Sequence, residues 1–391
     1  MRVLVTDGDN RAALAVTRAL GHRGHEVLVA ERRSPSLAQT SRYCTKRLVY
    51  PDPVTDDQGF VNSLAAAVSD EAVEALLPVA DITTGLVAAN RDRFEPACQV
   101  PFADAATIAR ASDKVEMMRT AARLGVPTPR TWYCCGPEEA IPPDLDYPAV
   151  IKPHRSRVRT EAGWTSCSVG YAGSRDELRA SLLARPGHEF PVMLQERIDG
   201  PGVGIFVCYD RGKMVAVFSH RRLREKPPWG GVSVLCESTE VPADAKDYAE
   251  RLLADLSWHG VAMVEFKRDV RDGLPKLMEI NARFWGSLQL AIDAGVDFPN
   301  VLLDTCRGGV GGPMPSFRPG VQSRWLWGDF DSLLLRLRAH KGDWPAQDGR
   351  GRLGAIAQFL RAGGKNLHYD NPRRDDVRPW LLETRRRLWP W

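Results

Sequence analysis

Val261-Ala262-Met263-Val264-Glu265-Phe266-Lys267, a turn at Asp272-Gly273, and Leu277-Met278-Glu279-Ile280-Asn281-Ala282-Arg283-Phe284-Trp285-Gly286 say more about this chain than any other stretch of it. Apolar and polar residues alternate on both sides of the turn, as in a β-hairpin with one buried face. The period of two puts Glu279 and Asn281 on one face of the second strand, with Glu265 on the strand before it. Three hard oxygen ligands then converge. Such ligands suit Mg²⁺, which binds through a few carboxylates and the phosphates of a nucleotide, so the hairpin reads as a metal-nucleotide site. Taken alone, the same carboxylates are equally compatible with a solvated strand end paired to Arg268 or Arg283.

Working outward, strand patterns at 205–209, 214–219, 232–236, 262–268 and 276–281, with a helical pattern over 245–256, predict an α+β lobe over 201–312. A smaller α+β lobe precedes it over 111–200. A linker helix opens this lobe, with Asp113 as cap, Glu116 reaching back, and Gly125 and Pro127 closing it. Strands follow at 149–152, 166–171 and 192–197, with a helix opened by Ser174 and Glu177. Residues 1–110 alternate apolar runs (3–6, 27–30, 48–50, 75–79) with helical patterns, which predicts a small parallel α/β domain. Its first turn, Thr6-Asp7-Gly8-Asp9-Asn10, lacks the glycines that admit a pyrophosphate, and its two carboxylates repel one. That domain therefore reads as a scaffold or substrate-side unit, which weighs against a nicotinamide-dependent enzyme. Residues 313–391 carry Trp325, Trp327, Trp344, Trp380, Trp389 and Trp391 among amphipathic pieces, predicting a helical tail. The fold class is thus α/β and α+β.

The succession Asp113-Lys114, Val150-Ile151-Lys152-Pro153, Gln195-Glu196-Arg197-Ile198-Asp199-Gly200, Glu265 and Met278 to Gly286 resembles the ATP-grasp superfamily, carboxylate-amine ligase type, over 113–297. The resemblance implies an ATP-grasp fold, with a small parallel domain followed by two lobes clasping ATP. It implies that Lys114 and Lys152 reach the phosphates, and that Gln195, Glu196, Arg197 and Ile198 form a hinge reading the adenine edge, with Glu196 accepting from the adenine amine. Leu194 and Met278 are the implied walls of the ring. Glu265, Glu279 and Asn281 are the implied ligands of Mg²⁺, with Mn²⁺ able to substitute, and Arg283 the implied partner of the transferring phosphoryl group. The implied reaction joins a small-molecule carboxylate to an amine, amino acids being fitting substrates, through an acyl phosphate with release of ADP and phosphate. The same residues would serve an ATP-grasp phosphotransferase that ligates no amine, or a non-catalytic nucleotide-binding module.

Two features depart from the family pattern. No acidic residue follows Gly200 to hold the ribose, so that contact has no assigned residue. The segment after Lys152 reads His-Arg-Ser-Arg-Val-Arg-Thr-Glu-Ala-Gly-Trp, with Gly163 its only glycine. Arg155, Arg157 and Arg159 therefore bind ATP or an anionic substrate by side-chain charge, or form a solvated basic loop. Further on, Arg222 and Arg224 alternate along a strand and are expected to point together into the cleft, where the resemblance implies that they contact the triphosphate or the substrate carboxylate as catalytic residues, surface charge on a hairpin being the alternative.

Composition sets the outer bounds. At 391 residues the chain has room for two or three units, and a net charge of +4 from 53 basic and 49 acidic residues gives no reason to expect nucleic acid as a partner. Eight cysteines without CxxC spacing indicate free thiols, and no long apolar run suggests a membrane span. The expectation is a soluble cytoplasmic protein, and a homodimer is compatible with it.

Overall fold

A computed structural model describes residues 1–161, 163–228, 230–308, 312–339, 351–361, 364 and 366–389. Trp344 and Trp391 lie outside the described residues. The chain begins with β1 (Arg2–Val5), α1 (Arg11–His22), β2 (Glu26–Glu31), β3 (Cys44–Val49), α2 (Asp57–Asp70), β4 (Ala75–Leu77), α3 (Asp81–Ala89), α4 (Ala105–Ser112) and α5 (Lys114–Arg123). The four strands form a parallel sheet ordered β3-β2-β1-β4. Their central residues Val3, Leu4, Val27 and Leu76 are almost wholly buried, as strands covered on both faces require.

The first turn shows why no phosphate fingerprint is present. Asp7 takes a left-handed conformation (φ 60°). Its carboxylate accepts hydrogen bonds from the backbone N–H groups of Val79 (3.1 Å) and Ala80 (2.9 Å) and from the Thr83 hydroxyl (2.6 Å). The positive end of α3 is thus neutralised by the chain's own carboxylate. Downstream, Asp113 caps α5 by accepting from Val115 and Glu116 N–H, both at 3.0 Å. Glu116 does not reach back to the cap; it binds Arg110 at 2.8 Å.

The next elements are β5 (Thr131–Cys134), β6 (Ala149–Pro153), β7 (Arg157–Thr160), β8 (Gly163–Ser166), β9 (Gly170–Ala172), α6 (Arg175–Leu183) and β10 (Val192–Glu196). An antiparallel sheet ordered β5-β10-β6-β9 packs Ile151 and Leu194 against Leu178 and Leu182 of α6. Ser174 caps α6 by accepting from the Glu177 N–H at 3.3 Å, and the Glu177 carboxylate takes the Gly173 N–H at 2.7 Å. The single strand expected at 166–171 is split between β8 and β9. The basic segment before it is a hairpin of β7 and β8, because Arg157-Val158-Arg159-Thr160 has the strand period and Gly163 (φ 109°) permits a tight turn. The hairpin docks on the N-terminal domain: Trp164 N–H donates to the Val54 carbonyl (3.0 Å), and Arg159 pairs with Asp57 at 2.7 Å.

The remaining elements are β11 (Gly202–Asp210), β12 (Lys213–Lys226), β13 (Val232–Ser238), α7 (Ala243–Asp255), β14 (Gly260–Arg268), β15 (Pro275–Asn281), α8 (Leu288–Ala294), α9 (Phe298–Thr305), β16 (Gln322–Arg324), α10 (Leu326–Arg338), α11 (Arg352–Leu360), β17 (Leu367–Tyr369) and α12 (Arg378–Leu388). One sheet runs β15-β14-β11-β12-β13-β16-β17. One face carries Phe206, Phe218 and Met263 into a core shared with α1, α8 and α9. The other face packs Ile205, Val264 and Leu277 on α5 and α7. The C-terminal region is not only helical, since β16 and β17 extend this sheet.

That region also ties the first domain to the large lobe. Arg18 of α1, 5% exposed, donates to Asp376 at 2.8 Å and to the carbonyls of Asp370 and Asn371. Asp376 also accepts from the Ser41 hydroxyl and the Arg42 N–H. Removing one partner of a buried pair strands the other, at about 3–5 kcal/mol. Asp376→Ala should therefore lower the urea midpoint by a stability loss of about 3 kcal/mol with an unchanged slope, and a loss under about 1 kcal/mol would show the pair to be peripheral.

Candidate active site

The hairpin of β14 and β15 brings the three oxygen-bearing residues together. Glu265 and Glu279 are direct cross-strand partners, and Asn281 lies two residues further along the same face, its amide 3.1 Å from Glu279 Oε1. A bulge shapes this face: Glu265 pairs with Glu279 but Phe266 pairs with Leu277, leaving Met278 as the extra residue. Strict alternation would point Met278 away from Glu279. The bulge lets both reach the cleft while Leu277 and Ile280 stay in the core.

Two carboxylates placed directly opposite each other repel, and the fold answers each with a cation. Lys114 Nζ sits 3.1 Å from Glu279 and donates to the Ser156 hydroxyl at 2.7 Å. Arg222 binds Glu265 at 2.8 Å and Glu225 at 3.1 Å. The two carboxyl groups respond differently. Burial raises both, but at Glu279 the charge of Lys114 and the bonds from Asn281 and Lys114 prevail and hold it down at about 2. At Glu265 burial, reinforced by Glu279, prevails over Arg222 and leaves it above the ordinary carboxylate range. Among the described residues no group of three His, Cys, Asp or Glu side chains forms a metal cage. Two carboxylates and an amide oxygen fit a dication that takes its remaining ligands from phosphate and water, as Mg²⁺ does.

Across the cleft, β6 presents Lys152, whose Nζ lies 3.7 Å from Met278 Sδ. Lys152 pairs with Met193 and Val150 with Gln195, so these four share a face. Leu194 pairs with Ile151 on the opposite face and is core beneath α6; it does not wall the cleft. Period-two counting from Lys152 gives Met193 only once the register with β10 is known.

The hinge residues are held as follows. Gln195 donates to the Thr131 hydroxyl at 2.9 Å, while its buried Oε1 has no hydrogen-bond partner. The Glu196 carboxylate, the acceptor expected for an adenine amine, accepts from the Arg130 N–H at 2.8 Å and pairs with Arg271 at 2.9 Å. Arg197 pairs with Asp199 (2.9 Å) at the surface, and the Ile198 carbonyl accepts from Lys267 Nζ at 3.0 Å. Lys267 also stands on the site face, as the alternation Glu265-Phe266-Lys267 implies.

The expected arginines divide. Arg283 bridges Asn281 Oδ1 (3.1 Å) and Asp81 (2.9 Å) at the start of α3. Arg222 faces Glu265, but Arg224 does not accompany it. Leu223 is an extra residue in β12, so Arg222 and Arg224 pair with the consecutive residues Cys236 and Leu235 and point to opposite faces. Arg224 is clamped by both oxygens of the buried Asp329, each at 2.6 Å, which makes it a structural link to α10. Arg159 stands on the docked hairpin beside Asp57.

Residues 188–328 match the family described as ATP-grasp in the biosynthetic pathway with Ter operon. Among solved structures, the chain resembles an L-amino acid ligase from Bacillus licheniformis, with TM-score 0.63 and 15% identity over 82% of this chain and 78% of that one. It also resembles an N5-carboxyaminoimidazole synthetase from Staphylococcus aureus (TM-score 0.62, 13% identity, 81% and 80% covered). A biotin carboxylase from Campylobacter jejuni is similar too (TM-score 0.62, 15% identity, 82% and 74% covered). No curated protein sequence matches. The fold is the ATP-grasp fold.

Lys152 sets a pH signature. Burial lowers its ammonium to about 8, with Glu279 pulling upward and Lys114 downward. Below pH 8 it is charged, so Lys152 itself adds no pH dependence to the affinity for Mg-ADP there. Above pH 8 binding must first restore a proton, and affinity should fall by up to about tenfold per pH unit. Calorimetric titration should show this limb in the wild type and not in Lys152→Arg, whose guanidinium stays charged.

Proposed function

We propose that this protein is an ATP- and Mg²⁺-dependent ligase that joins a carboxylate to an amine through an acyl phosphate, releasing ADP and phosphate. The observation that carries this reading is the row of Glu279 and Glu265 between Lys114 and Arg222, facing Lys152 across the cleft of an ATP-grasp fold. Glu265, Glu279 and Asn281 would hold Mg²⁺, which would neutralise charge on the polyphosphate. Lys114 and Lys152 bind phosphate oxygens, each ammonium acting as a point charge. Arg222 keeps Glu265 oriented, and Arg283 fixes the Asn281 carbonyl while its guanidinium stands beside the site of phosphoryl transfer. No nucleophilic side chain is required: the substrate carboxylate attacks the γ-phosphorus, ADP leaves, and the amine then displaces phosphate from the acyl carbon. Amino acids are the substrates that best fit this chemistry, in keeping with the ligase named among the similar structures. The described cysteines are all free, which suits a reducing cytoplasm.

Incubation with Mg-ATP, pooled amino acids and hydroxylamine as a surrogate amine should yield ADP, phosphate and a hydroxamate. ADP with a stable phosphorylated product would replace the ligase by a phosphotransferase, and AMP with pyrophosphate would refute the mechanism. Glu279→Gln should fold normally and lose turnover by on the order of a hundredfold or more. Wild-type rates in that variant would remove Glu279 from the site.

A further inference from the structure

Beside the metal face a half-open cavity of about 840 Å³ lies between α2, α3, α4, the β7–β8 hairpin and residues 279–281. Val61, Ile82, Leu86, Ile108 and Trp164 give it an apolar wall that the chemistry of phosphoryl transfer does not require. The hairpin roofs it, fastened by the Arg159–Asp57 pair and by the Trp164 N–H on the Val54 carbonyl. At the metal end the contacts Glu279–Lys114 (3.1 Å) and Lys114–Ser156 (2.7 Å) bring the start of β7 to the site, so the next residue, Arg157, lines the cavity close to the metal face. Arg159 has Asp57 and Arg155 has Asp113 within 4 Å, whereas among the described residues no carboxylate pairs with Arg157. Of the cations that line it, Lys114, Arg155 and Arg159 each stand beside a carboxylate, which leaves Arg157 to orient an amphiphilic molecule whose affinity the apolar walls supply.

We propose that this cavity seats the carboxylate substrate, and that the substrate has an apolar body, aromatic or branched aliphatic, with its carboxylate held by Arg157 toward the metal face. The inference rests on the ligase reading and narrows it to a substrate class. Gly85 supplies the blocking variant. It lines the cavity from the middle of α3, and a Cβ added there meets nothing within 4 Å, so a side chain starts from open space beside the cavity.

Calorimetry on the full chain with Mg-ADP present, using 3-phenylpropionate, 3-phenylpropanamide and glutarate as probes, tests the proposal. The acid should bind, with the neutral amide and the doubly charged glutarate each weaker by roughly tenfold or more. Gly85→Phe should weaken 3-phenylpropionate by a similar factor and leave Mg-ADP affinity unchanged, and Arg157→Ala should abolish the preference for acid over amide. Equal affinity for the three probes, no binding of 3-phenylpropionate at millimolar concentration, or an unaffected Gly85→Phe would overturn it. Mg-ADP bound without probe selectivity would sink the pocket alone, whereas selectivity without Mg-ADP binding would support the pocket and sink the nucleotide reading.

Discussion

Two carboxylates, Glu265 and Glu279, face each other across adjacent strands, and most of the site follows from how the fold tolerates them. Unopposed like charges at directly paired positions are unfavourable, more so where burial weakens solvent screening. The chain supplies cations from opposite directions: Lys114 from the first residue of α5 and Arg222 from β12. Each carboxylate thereby gains a partner from a different part of the chain, so assembling the pair draws the linker helix and the large sheet to one point. The cations offset the repulsion separately, and a dication between the carboxylates would offset it directly.

The surrounding architecture holds that point still. Asp7 occupies the N-terminus of α3, Asp81 at the start of that helix holds Arg283, and Arg283 holds Asn281. At its first turn the N-terminal region places a carboxylate where a phosphate would otherwise meet the helix end, and through Asp81 it braces the Asn281 end of the hairpin by one guanidinium. From the other side the C-terminal region fastens the same domain to the large sheet through Arg18–Asp376 and Arg11–Asp370. Arg224, locked on Asp329, belongs to this fastening.

Much of this was legible in the sequence, for definite reasons. The hairpin of Glu265 and Glu279, the parallel alternation of the first domain and the cap at Asp113 are local patterns, and local patterns survive folding. What escaped were irregularities of register. A bulge at Met278 brings that side chain to the face of Glu279, and a bulge at Leu223 sends Arg224 away from Arg222, yet neither alters the apparent period of two. Leu194 was placed on the wrong face for a related reason, because the face of a strand depends on its neighbour's register. The strand pairing of β16 with β17 joins segments of three residues each, too short to show a period. The docking of the basic hairpin on α2 is a tertiary contact that composition could not reveal.

If Glu265 and Glu279 cradle a dication in the company of a nucleotide, Mn²⁺ should take the same place as Mg²⁺. Electron paramagnetic resonance of Mn²⁺, titrated into the protein with ADP present, tests it without knowledge of the substrates. The wild type should give a bound-Mn²⁺ signal, and Glu265→Gln and Glu279→Gln, both folded, should take up Mn²⁺ more weakly by roughly tenfold or more. Undiminished Mn²⁺ uptake by either folded variant would contradict it.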